Sequence, residues 1–61
     1  MNGKQVIKKL QAEGWILERV NGSHHILRKG NVSVTVPVHG TKDLKKGTFS
    51  SIMKETGVRL K

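Results

Sequence analysis

Apolar residues recur at helical spacing at both ends of the chain and with a period of two in the middle. Val6, Ile7 and Leu10 make one apolar stripe, with Lys4, Lys8, Lys9 and Gln11 on the other side. Asn2 is suited to cap this segment, and Gly14 stands where a helix ends through a left-handed residue. The pattern predicts a helix over residues 3–13 whose short stripe is a core face. Trp15 to Val20 is rich in β-formers and predicts a first strand. Trp15 and Leu17 are expected to face the helix, with Ile16 and Val20 breaking the alternation. Asn21-Gly22 is a turn signal, since both residues tolerate positive φ, and it makes the first two strands a hairpin. Ser23 to Lys29 reads as the second strand, ended by Gly30-Asn31. Val32, Val34, Val36 and Val38 then alternate with Ser33, Thr35, Pro37 and His39, the clearest period of two in the chain. One valine face is buried and the hydroxyl face looks to solvent. Pro37 has no N–H to give a ladder, so the strand ends there or lies at an edge.

Residues 39–47 read as a loop with Leu44 tucked beneath it. Thr48 is expected to cap a second helix with Phe49, Ile52 and Met53 inward and Gly57 at its end. Val58, Arg59 and Leu60 are expected to form a loosely packed tail. The order is α-β-β-β-α, an α+β fold with two helices on one face of a three-stranded antiparallel sheet and the other face open. The second strand admits two registers. If Leu27 joins the valines in the core, His25 faces inward and His24, Ile26 and Arg28 outward. If Ile26 is the core residue, His24 turns inward. The first is the preferred reading, with His24 and Arg28 on the open face beside Ser33 and Thr35.

At 61 residues the chain has room for one domain, spanning 1–61, with a small core and marginal stability. It has no cysteine, which removes disulfides and cysteine-based metal sites. No apolar run approaches membrane-spanning length, and the start lacks the apolar segment of a secretion signal, so a cytoplasmic protein is expected. Twelve lysines and arginines against four acidic residues give a formal net charge of +8, suited to a nucleic acid or an acidic protein partner. Neither predicted helix joins a wide apolar face to a heavily basic one, which argues against a membrane-surface helix.

The chemistry concentrates at Gly22-Ser23-His24-His25, since histidine exchanges protons near neutral pH. RNA cleaves where its own 2′-hydroxyl attacks the neighbouring phosphate, and a catalyst needs a base, cations for the charged phosphorane and an acid for the leaving oxygen. No metal or other cofactor is needed in principle. His24 can be the base, with Arg28, Lys29, Lys42, Lys45 and Lys46 as candidate RNA contacts. His39, stiffened by Pro37, is a candidate acid or orienter, as is a lysine or a water. Ser23 can orient phosphate or imidazole, but as a nucleophile it lacks an acidic third member. A zinc site from His24, His25 and His39 is disfavoured, because adjacent strand residues point to opposite faces. Trp15 can stack on a base, but a lone tryptophan in this position reads better as a core anchor.

Gly14-Trp15, Gly22-Ser23-His24-His25, Pro37-Val38-His39, Leu44 and Gly47-Thr48 stand in the order and spacing of the HicA family of bacterial toxins, and the resemblance covers nearly the whole chain. It implies a fold like that of double-stranded-RNA-binding domains and activity as a ribosome-independent mRNA interferase. It also implies neutralisation by a HicB antitoxin that covers the active face, in a hetero-oligomer. By the same resemblance His24 is the catalytic histidine, with Gly22 and Ser23 holding the motif's geometry. Two other readings compete. One is a module that holds duplex RNA by shape, supported by Lys45 and Lys46 before Thr48. The other is a protein-interaction unit whose basic face serves only an acidic partner.

Overall fold

The computed structural model describes residues 1–60. The chain runs α1 (Gly3–Ala12), β1 (Ile16–Asn21), β2 (His24–Lys29), β3 (Val32–Pro37) and α2 (Lys46–Thr56). Asn2 caps α1 as expected: its side chain accepts the Gln5 N–H, and the Gln5 side chain accepts the Asn2 N–H, both at 2.9 Å. This reciprocal pair satisfies donors that a helix start otherwise leaves open. The helix ends at Ala12, with Glu13 as its C-cap and Gly14 at φ 96°.

The sheet is antiparallel in the order β1-β2-β3, with α1 packed on β1 and β3 and α2 on β3. Leu27 lies opposite Leu17 on one side and Val34 on the other, so the preferred register is the one formed. Leu27, Val34 and Val36 are buried against the helices, while His24, Arg28, Ser33 and Thr35 are exposed. Pro37 is both the last residue of β3 and on an edge strand, where its missing N–H costs nothing.

Three expectations need correction. The first hairpin turns through Gly22-Ser23, not Asn21-Gly22: Asn21 pairs with His24 as the last residue of β1, and only Gly22 takes the left-handed conformation (φ 62°). Thr48 does not cap α2. The helix begins at Lys46 with Lys45 as its N-cap, and Lys45 makes no capping side-chain bond, so Thr48 lies within the first turn. Nor is the tail loose. The Thr56 hydroxyl donates to the Ile52 carbonyl (2.7 Å) and accepts the Val58 N–H (3.1 Å), and Gly57 at φ 70° turns the chain back. Leu60 thereby joins Val6, Ile7, Leu10, Trp15 and Ile52 in the core.

The broken alternation of β1 has a local cause. Leu17 pairs with Leu27 but Arg19 with Ile26, leaving Glu18 as the extra residue of a bulge. Beyond it Val20, not Arg19, shares the face of Leu17. As an edge strand β1 has little cover, and all six of its residues are exposed. No helix among the described residues is long and apolar enough to cross a membrane.

Candidate functional site

His24 opens β2 immediately after the Gly22-Ser23 turn, with its Cα partners Asn21 on β1 and Pro37 on β3. Because Leu27 is inward, the period of two turns His24 to the open face, and the residue is exposed. Gly22 carries the positive φ of the turn. A side chain there would meet no atom within 4 Å, so what restricts this position is the backbone and not space.

Ser23 contributes through its carbonyl. That oxygen accepts the Val38 N–H at 2.8 Å and lies 3.3 Å from His25 Nδ1. A carbonyl only accepts, so Nδ1 carries the proton in this contact. His25 shares the inward face with Leu27, opposite His24, and is half-buried. Adjacent histidines therefore do different things: one is presented to solvent and the other braces the turn. Among the described residues no three His, Cys, Asp or Glu side chains gather as a metal-binding group.

Beyond Pro37 the chain descends into a cleft of about 480 Å³ lined by Pro37, His39, Lys42, Asp43, Leu44, Lys45 and Thr48. His39, Lys42 and Lys45 are exposed at its walls. The backbone here is held from two sides, by a Lys42 N–H to His39 carbonyl bond (3.0 Å) and a Leu44 N–H to Met1 carbonyl bond (3.0 Å). Asp43 is the cleft's carboxylate, and it lies 3.4 Å from the Met1 amino group. The cleft and His24 meet at Pro37, which lines the one and pairs with the other.

The basic residues named from the sequence do not form one patch. Lys42 and Lys45 line the cleft, and Lys46 is exposed beside it as the first residue of α2. Arg28 shares the open face with His24 but stands four residues along β2, about 13 Å at strand spacing. Its guanidinium is paired with Glu18, the bulge residue. Lys29 points to the helix side and donates to the Glu13 carbonyl at 2.8 Å, closing the end of α1. Sequence reading missed Thr48 and Asp43 as cleft residues, and it missed the Ser23–Val38 bond that ties the turn to the exit of β3. It also missed Gly3, where a Cβ would stand 2.5 Å from the Pro37 carbonyl oxygen. The Ser23–Val38 and Gly3–Pro37 contacts join residues remote in the chain, so no local pattern announces them.

Comparison with curated proteins gave no match. A family model described as the HicA toxin of bacterial toxin–antitoxin systems matches residues 3–58, nearly the whole chain. The chain thus belongs to the HicA toxin family and is the toxin of a toxin–antitoxin pair.

Proposed function

We propose that this toxin is an endoribonuclease that cleaves mRNA in the cytoplasm, with His24 as its general base. The observation that carries the reading is the presentation of His24: a solvent-facing imidazole whose strand partner, Pro37, is the first wall of a cationic cleft. RNA supplies its own nucleophile. His24 takes the proton from a 2′-hydroxyl as that oxygen attacks the adjacent phosphorus, and Lys42 and Lys45 offset the charge gathering on the phosphoryl oxygens. Lys46 extends this basic edge. Gly22 and Ser23 hold the turn that aims His24. Proton transfer by a positioned side chain contributes on the order of 10² to 10⁴ in rate, which suits a slow nuclease. The chemistry asks for acid, base and cations, so cleavage is expected to continue in the presence of a chelator. Arg28 and Lys29, occupied by Glu18 and the Glu13 carbonyl, would meet only RNA that extends along β2.

A HicB antitoxin, as the partner of such a toxin, would silence it by covering His24 and the cleft in a hetero-oligomer. The charge of +8 favours an acidic inhibitor surface that competes with RNA. The test is cleavage of a single-stranded RNA by purified protein with chelator present, beside the His24→Ala variant. The variant is expected to keep its circular dichroism spectrum and lose cleavage by 10²-fold or more. Equal cleavage by both proteins would sink the assignment of His24. The second reading is a duplex-binding module without activity, favoured by Lys45 and Lys46 at the start of α2. Tight duplex binding with no cleavage of any RNA would establish it instead.

A further inference from the structure

We propose that His39 is the general acid of the cleavage step, a reading that rests on the endoribonuclease assignment above. The chain holds three imidazoles, at His24, His25 and His39. His25 is on the inward face of β2 with Nδ1 against the Ser23 carbonyl, so it cannot approach a phosphate held on the face of His24. His39 is different. It is exposed, its side chain has no hydrogen-bond partner among the described residues, and it lines the cleft beside Lys42 and Lys45.

Its distance from His24 is bounded by the backbone. His24 and Pro37 are Cα partners in the antiparallel β2–β3 ladder, which sets them about 4.5–5.5 Å apart. Two further residues add at most about 7 Å, so the two Cα atoms lie within roughly 12 Å. Side chains reaching from that separation can flank one phosphodiester, one at the ribose side and one at the leaving side. The position is also held. The Val38 N–H bond to the Ser23 carbonyl joins the residue before His39 to the residue before His24, so the two histidines are carried by one hydrogen-bonded unit. Lysine is a poorer candidate, because an acid with a pKa far above the working pH surrenders its proton reluctantly.

The step balances as follows. O2′ forms a bond to phosphorus while its proton passes to His24. The bond from phosphorus to O5′ breaks, and O5′ takes a proton from the His39 imidazolium. The products are a 2′,3′-cyclic phosphate and a 5′-hydroxyl, with His24 protonated and His39 neutral, and exchange with water resets both.

The decisive probe is an RNA oligonucleotide whose leaving 5′-oxygen is replaced by sulfur at a site the wild-type protein cleaves. A thiolate leaves without protonation, so loss of the acid no longer matters. His39→Ala and His39→Gln are expected to cleave the all-oxygen RNA 10² to 10⁴-fold more slowly than wild type. On the sulfur substrate both should come within about tenfold of wild type, while His24→Ala remains defective on each. Circular dichroism of the His39 variants should stay close to wild type, since the side chain is exposed. Normal cleavage of the all-oxygen RNA by His39→Ala would overturn the proposal and leave the nuclease reading standing. An equal defect on both substrates would mean that His39 positions RNA and is not the acid. Rescue of His24→Ala in place of the His39 variants would exchange the two roles. A wild-type protein that cleaves no RNA would end both proposals together.

Discussion

Two glycines sit in the first turns of the two helices, and the structure assigns their alanine variants opposite signs. In a helix, glycine is less favourable than alanine by roughly 0.5–1 kcal/mol, so propensity alone favours alanine at both positions. Gly47 follows that rule: nothing lies within 4 Å of its added Cβ, and its φ is not positive. Gly3 does not. Its Cβ would stand 2.5 Å from the Pro37 carbonyl oxygen, 2.9 Å from Val38 Cγ2 and 3.1 Å from Val38 Cα. Two of those atoms are backbone, so the clash cannot be relieved by rotating a side chain. A 2.5 Å approach to backbone belongs in the upper part of the about 1–3 kcal/mol that overpacking costs, so about 2–3 kcal/mol less a propensity gain of about 1 leaves Gly3→Ala destabilised by about 1–2 kcal/mol. Urea unfolding followed by the fluorescence of the single, buried Trp15 measures both. At about 1 kcal/mol per molar urea for a domain of this size, the Gly3→Ala midpoint should fall by about 1–2 M. That of Gly47→Ala should rise by up to about 1 M. A Gly3→Ala protein as stable as Gly47→Ala would refute the close approach of α1 to the end of β3.

Leu60→Ala should cost about 2–5 kcal/mol, the usual range for emptying a buried leucine site. A chain of this length has roughly 3–9 kcal/mol in total, so the variant should show a sharply lowered thermal midpoint by circular dichroism, and a tail lying loose would give almost no change. RNA binding should weaken with salt, and Lys42→Ala and Lys45→Ala should each reduce the slope of log K against log salt by about 0.7 on a single strand. Lys29→Ala should move that slope much less, because its ammonium is bonded to the Glu13 carbonyl; equal slopes for all three variants would mean that the cleft does not hold the backbone.

What could be read along the chain was what a local period encodes. The valine alternation of β3 fixed its buried face, and carrying that face across the ladder through Leu27 turned His24 outward before any coordinates were needed. The Asn2 cap and the glycine after α2 were legible because capping is a matter of adjacent residues. The failures have the opposite character. β1 could not be resolved from its pattern, because the bulge at Glu18 shifts the period by one residue partway along. Thr48 had the side chain of a cap but lies inside the helix, which starts at Lys46 directly after an extended Lys45. Leu60 looked peripheral because nothing near it in sequence reveals the apolar space it fills. The basic residues were the hardest case: Arg28 and Lys29 are indistinguishable from Lys42 and Lys45 by type, and only their partners, Glu18 and the Glu13 carbonyl, separate structural cations from available ones. The same reasoning applies to the site. Two segments that look independent in the sequence, the turn before His24 and the exit of β3 before His39, share the hydrogen bond between Ser23 and Val38. Their relative position is therefore set by a backbone contact that side-chain substitution leaves intact, which is why the histidine variants test chemistry and Gly3→Ala tests the frame.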